Sequence, residues 1–178
     1  MQVSVILTIR NESAYIKKCL DSIIHQSYED FEIIILDDNS TDNTVEIVNS
    51  FNDKRIRLYR ALQKELGHAN LRNYALKKTC GKYIFFTDGD CMPTKYWLTE
   101  GISALEDSSF IGVEGKTYYQ TAITTISDSI VEPRERDFAT CNMGYKSECL
   151  RAVGLFDPEI KHGHEDRDLA LRVLEIGD

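Results

Sequence analysis

Through its first half the chain alternates short β-branched and aromatic runs with segments whose apolar residues recur at helical spacing, and no other feature constrains the fold as tightly. Residues 3–9 (VSVILTI), 31–36 (FEIIIL) and 83–86 (YIFF) are nearly continuous in apolar character, as strands covered on both faces must be. Residues 56–59 (IRLY) offer another strand. Elsewhere the period changes. Ile16, Cys19, Leu20, Ile23 and Ile24 define one helix, Val45, Val48 and Phe51 a second, Leu71, Tyr74 and Ala75 a third, and Trp97, Leu98, Ile102 and Leu105 a fourth. Strands alternating with helices make βαβ units, which predict an α/β fold built on a doubly wound, mainly parallel sheet.

Polar residues mark the element ends. Asn11 or Ser13 is placed to cap the first helix, the loop 37–42 (DDNSTD) the second and Thr94 the fourth, while Gly81 is expected to close the third, over 68–79, in a left-handed conformation. The second half is less regular. Residues 110–119 and 138–145 read as strands and 121–136 fits neither period, so a smaller antiparallel component is expected there. Leu169, Ala170, Val173 and Leu174 form one face of a last helix over 165–175. With 178 residues, 42% of them hydrophobic, and no repeat or proline-rich linker, a single domain over 1–178 is expected. The sequence stops directly after the last helical pattern, which reads as a domain truncated at its C-terminus.

A formal net charge of −8 argues against a surface built to track nucleic acid or an anionic membrane. A bound phosphate would need a metal ion, a helix N-terminus or single arginines. The five cysteines (Cys19, Cys80, Cys91, Cys141, Cys149) are odd in number and never at CxxC spacing, as expected of reduced thiols. No run approaches the ~20 apolar residues of a membrane span, and no signal peptide opens the chain. The expectation is a cytoplasmic domain, with any membrane association at the inner face supplied by regions outside this sequence.

In open α/β sheets ligands bind beyond the carboxyl ends of the strands. Three polar clusters stand at such ends: Thr8 to Glu12 with Arg10 among them, Asp37 to Asp42, and Asp88-Gly89-Asp90. Acid-bearing loops at one edge repel unless a cation or hydrogen-bonding ligand intervenes. Asp88 and Asp90 are two residues apart, so in extended chain both reach one ion; Gly89 lets the backbone bend between them, and hard oxygen ligands suit Mg²⁺ or Mn²⁺. A surface turn with two solvated aspartates is the plainer reading of that triplet alone. Asp38 is the better candidate to accept bonds from a nucleobase or ribose, with Asp37 behind it as a brace of the loop. Arg72 could pair with a base carbonyl or phosphate oxygen. Glu165 and Asp166 open the last helix, where the dipole alone favours acids. The preceding His162-Gly163-His164 makes a second reading available: one acid as a general base, with His164, more than His162, reaching metal or substrate.

Taken together, VSVILTIRNE, FEIIILDDNSTDNT, HANLRNYAL, the DGD after YIFFT and HGHEDRDLALRV resemble family 2 glycosyltransferases with the GT-A fold, over about residues 3–173. The resemblance implies transfer of a sugar from a nucleotide-diphosphate sugar, UDP-sugar favoured, to a hydroxyl of a glycan or lipid-linked polysaccharide precursor, with inversion and with Mn²⁺ or Mg²⁺. Under it Thr8, Asp38 and Arg72 contact the base, Asp88 serves ribose and metal, Asp90 ligates the metal, Asp166 is the general base and Glu165 helps to position the acceptor. Arg10 stands where many relatives carry a tyrosine. A nucleotidyltransferase is the second enzyme reading, but Thr-Ile-Arg-Asn-Glu replaces the glycine-rich loop such enzymes place after the first strand. No GxGxxG follows that strand either, which removes a dehydrogenase. A catalytically silent nucleotide-sugar-binding or scaffolding module is the reading from another class.

Overall fold

The computed structural model describes residues 1–61, 67–118, 138–160 and 163–177. Strands β1 (Val3–Ile9), β2 (Phe31–Asp37), β3 (Ile56–Arg60) and β4 (Tyr83–Asp88) alternate with helices α1 (Ile16–Ile24), α2 (Thr44–Asn49) and α3 (His68–Leu76). There follow α4 (Trp97–Glu106), β5 (Gly112–Glu114), β6 (Met143–Lys146), α5 (Ser147–Ala152) and α6 (Glu165–Glu175). The strands form one sheet in the order β3-β2-β1-β4-β6-β5. The first four are parallel; β6 runs antiparallel to both β4 and β5, the antiparallel component expected of the second half.

Alternate side chains of the strands feed two cores. Val3, Val5, Leu7, Ile33, Ile35 and Phe85 pack under Ile16, Leu20 and Ile23 of α1, Val48 of α2, and Leu98 and Leu105 of α4. Ile6, Ile34, Ile84 and Phe86 meet Ala75 of α3, Leu150 of α5, and Leu169 and Val173 of α6 on the other face. The run β1 to β3 winds one way from β1 and β4 lies on its other side, so the switch point falls between β1 and β4. There Thr8 stands in register with Asp88, and Ile9 with Asp37 of β2.

Several element ends differ from expectation. Asn11 and Ser13 do not cap α1; the Asn11 N–H donates to Ser40 Oγ (2.9 Å), Asn11 Oδ1 accepts the Thr41 N–H (2.8 Å), and the Ser13 N–H donates to Asp42 Oδ2 (3.1 Å). Those bonds knit the loops after β1 and β2 together. Asp42 also accepts the Thr44 N–H (3.0 Å) at the start of α2. Thr94 gives its carbonyl, to the Gln26 amide (2.7 Å), and the side chain that reaches the first turn of α4 is that of Gln26, whose Oε1 accepts the Leu98 N–H (3.1 Å). Helix α3 stops at Leu76 and Gly81 is not left-handed. A Cβ at Gly81 would lie 2.5 Å from the Ser4 backbone nitrogen, so glycine is required by close approach to β1. Of the strand expected over 110–119 only Gly112–Glu114 forms, residue 119 lying outside the described residues, and that over 138–145 divides into a 3-10 turn (Thr140–Asn142) and β6. Residues 121–136 and His162 also lie outside the described residues.

Candidate functional site at the carboxyl ends of β1 and β4

The two central strands end beside each other, and the side chains there are predominantly acidic. Asp88 closes β4 half-buried, Gly89 is buried, and Asp90 stands exposed after them. The Cys91 N–H donates to the Asp88 carbonyl (3.1 Å) and turns the chain. Gly89 has no left-handed φ. Its role is space: a Cβ there would meet Ile9 Cγ2 at 2.9 Å and Glu12 Cγ at 3.1 Å. The glycine therefore lets the loop after β1 press onto the acids of β4, rather than freeing the backbone as the triplet alone suggested.

Electrostatics reports the same closeness. Burial first, then the charges of Asp90, Asp88 and Asp42, push Glu12 above the usual carboxylate range. Burial likewise raises Asp88; Arg72 and His68 pull it back, whereas Asp90 and Asp166 push it further up. Acids from the β1 loop, the β4 end and the first turn of α6 thus face a common space. Crowded carboxylates of this kind fit a divalent cation, which relieves the repulsion that now raises them. Among the described residues no group of three or more His, Cys, Asp or Glu side chains is arranged to hold an ion unaided. Asp88 and Asp90 as a pair fit Mg²⁺ or Mn²⁺, which keep positions for diphosphate oxygens.

At the neighbouring strand end Asp37 is fully buried and accepts the Ser40 N–H (3.1 Å), with Arg60 Nε 3.4 Å from its Oδ2. It braces the loop. Asp38 points the other way: Oδ2 is 3.3 Å from Arg10 Nη1, while Oδ1 is buried and makes no hydrogen bond to a described residue. A buried acceptor of that sort calls for a donor from outside the described residues. Arg10, mostly exposed, is held over Asp38 by their ion pair. Thr8 is half-buried beside Asp88.

Arg72 and Glu165 lie together. Arg72 is buried on α3, and its guanidinium pairs with the buried carboxylate of Glu165. Asp166, half-buried, accepts the Arg167 N–H on Oδ1 (2.8 Å). The structure does not gather His164 with Asp88 and Asp90 into a ligand set: left-handed (φ 70°) and exposed, it is the residue from which α6 departs. The histidine that acts on Asp88 is His68. Sequence reasoning passed over His68, although it stands one helical turn before Arg72 and so on the same face of α3. It also passed over Cys91 and Cys141: the Cys91 thiol donates to Asp90 Oδ1 (3.5 Å), and the closeness of the two thiols raises Cys91 and lowers Cys141.

An open, mainly parallel sheet with acids gathered at its switch point defines the class of α/β domains that bind ligands outside the strand ends. The chain belongs to glycosyl transferase family 2, whose model matches residues 4–146. A relative in Escherichia coli, UDP-Glc:alpha-D-GlcNAc-diphosphoundecaprenol beta-1,3-glucosyltransferase WfaP, is 31% identical over 183 residues, covering 98% of this chain and 71% of its own. Among solved structures, S. aureus TarS (residues 1–349) in complex with UDP superposes with a TM-score of 0.82 at 22% identity, over 97% of this chain and 55% of that one. Mannosyltransferase PcManGT from Pyrobaculum calidifontis, in complex with GDP-Man and Mn²⁺, gives 0.79 at 24% identity, over 99% and 52%. The two structures share the GT-A fold with this chain. The chain spans only about half of those solved proteins and 40% and 13% of two further curated relatives. No helix among the described residues is long and apolar enough to cross a membrane.

Proposed function

We propose that this chain carries the donor site and the catalytic base of an inverting glycosyltransferase that moves a sugar from a nucleoside diphosphate, uridine preferred, to the hydroxyl of a glycan or lipid-linked acceptor. The observation that carries the reading is the meeting of acids up to 154 positions apart in sequence: Asp88 and Asp90 are close enough to Glu12, and Asp90 and Asp166 to Asp88, for their charges to raise those two carboxyls. The Oδ1 of Asp38, without a partner among the described residues, accepts from the base, with Thr8 at the end of β1 and Arg10 paired to the same aspartate. Asp88 and Asp90 would hold Mn²⁺ or Mg²⁺. When bound, the ion supplies charge neutralisation to the departing diphosphate. Asp166 takes the proton of the acceptor hydroxyl as the bond to the anomeric carbon forms from the opposite face. Uridine is favoured by the UDP-glucose that WfaP's name specifies and the UDP seen with TarS, and a lipid-linked acceptor at the inner membrane face by WfaP's diphosphoundecaprenol substrate. The mannosyltransferase bound to GDP-Man makes guanosine the donor to compare.

The test is release of nucleoside diphosphate from UDP-glucose, UDP-GlcNAc and GDP-mannose, with and without Mn²⁺, by wild type and Asp90→Ala. Metal-dependent release from a UDP-sugar is expected, falling roughly a hundredfold or more in the variant. Binding without metal-dependent turnover of any donor would instead describe a silent module.

A further inference from the structure

Arg72 and Glu165 are 6% and 5% exposed, and their charges meet across 93 positions of sequence. A buried charge without its partner is costly, so neither side chain can swing towards a ligand without stranding the other. A second tie lies beside the first. Asn73, next to Arg72 on α3, donates from Nδ2 to the Phe156 carbonyl (2.7 Å) and accepts the Phe156 N–H on Oδ1 (3.0 Å). The Arg72 guanidinium also lies 5.6 Å from the centre of the Phe156 ring. Helix α3 therefore grips both the chain ahead of α6 and the first residue of α6.

The grip falls beside a junction that has no side-chain cap of its own. Gly163 (φ 84°) and His164 (φ 70°) are both left-handed, and the side chain of His164 makes no capping bond to α6. Such a junction leaves the aim of the first turn to whatever holds it from outside. The residue after the tethered one is Asp166.

We propose that Glu165 is a positioning residue: its ion pair with Arg72 fixes the first turn of α6 so that Asp166 faces Asp88 at the carboxyl ends of the strands. This rests on Asp166 being the base.

Hydrogen exchange on the full chain, followed by mass spectrometry, tests the geometry without any substrate. In Glu165→Ala the first turn of α6, where the Asp168 N–H donates to the His164 carbonyl (2.9 Å), exchanges roughly tenfold faster while β1 and β4 keep their protection. Unchanged exchange there overturns the proposal. Turnover of UDP-glucose with Mn²⁺ reads the consequence: kcat falls about a hundredfold, the donor KM stays within about twofold, and Glu165→Gln, which still accepts a hydrogen bond, recovers part of the loss. A raised donor KM with unchanged kcat in Glu165→Ala would mean that the pair acts on donor binding and not through Asp166, and would also overturn the proposal. The paired Arg72→Met/Glu165→Leu variant guards against misfolding, since apolar replacement of a buried pair keeps stability. It is expected to fold with wild-type Tm and yet stay slow; full recovery of kcat would reduce the pair to packing. Should wild type turn over no nucleotide sugar, it is the proposed function that fails, and the exchange result still decides the positioning.

Discussion

Replacing Gly89 by alanine tests why a glycine separates the two aspartates. The added methyl would lie 2.9 Å from Ile9 Cγ2, 3.1 Å from Glu12 Cγ and 3.4 Å from Glu12 Cβ. Carbon atoms settle at about 3.5–4.0 Å, so the contact with Ile9 is roughly 0.6 Å too short. Ile9 is 2% exposed on a strand paired on both sides and cannot withdraw, whereas the Glu12 side chain can rotate. Overpacking of this degree costs about 1–3 kcal/mol. At about 2–4 °C per kcal/mol for a chain of this size, Tm should fall by about 2–12 °C in a calorimetric scan. Because Glu12 has to move from the acids, the stabilisation by Mn²⁺ and UDP should shrink as well. Ile9→Ala in the same background removes the contacting carbon, so the double variant should be more stable than the sum of the single losses by at least about 0.5 kcal/mol. An unchanged Tm in Gly89→Ala, or strict additivity, would refute the close-approach argument.

Glu12→Gln should raise the Tm of the metal-free protein at neutral pH. The folded pKa of Glu12 lies above its ordinary value, so its ionised form is a penalty to the folded state that fades as pH falls towards the ordinary carboxylate range. The gain should vanish near about pH 4, and a gain of the same size there would show that charge is not its cause. For Asp53, held below the usual range chiefly by the hydrogen bond from Arg55, the sign reverses. Asp53→Asn should cost stability at neutral pH and progressively less below about pH 4, as wild type loses the same interaction; a constant cost would contradict this. At neutral pH iodoacetamide should modify Cys141 before Cys91, because the closeness of the two thiols lowers the former and raises the latter; peptide mass spectra showing the reverse order would contradict that assignment.

The parallel half was legible because β1, β2 and β4 are buried on both faces, which forces unbroken apolar runs, and because α1 and α6 carry a full-length apolar stripe. Acids at strand ends were legible for the same reason: once the strands are placed, whatever follows them gathers at one edge. The rest depended on partners remote in sequence. Asn11 and Ser13 look like caps locally, but bond to Ser40, Thr41 and Asp42 about 30 residues on. Gly81 looks like a helix stop and is instead the only residue type that fits against Ser4. Arg72 reads as a partner for a base carbonyl or phosphate oxygen, and nothing near it in the sequence announces its ion pair with Glu165. Helix α5 buries the adjacent pair Cys149 and Leu150, which displays no helical period.

Titrating Mn²⁺ into the protein with saturating UDP, followed by the loss of the free-ion paramagnetic resonance signal, addresses most directly whether these acids form one cation and diphosphate site. Wild type should bind one ion, more tightly with UDP than without, and Asp90→Asn should lose that binding while keeping its Tm in the absence of metal. Equal Mn²⁺ binding by wild type and Asp90→Asn, or an affinity indifferent to UDP, would contradict the site.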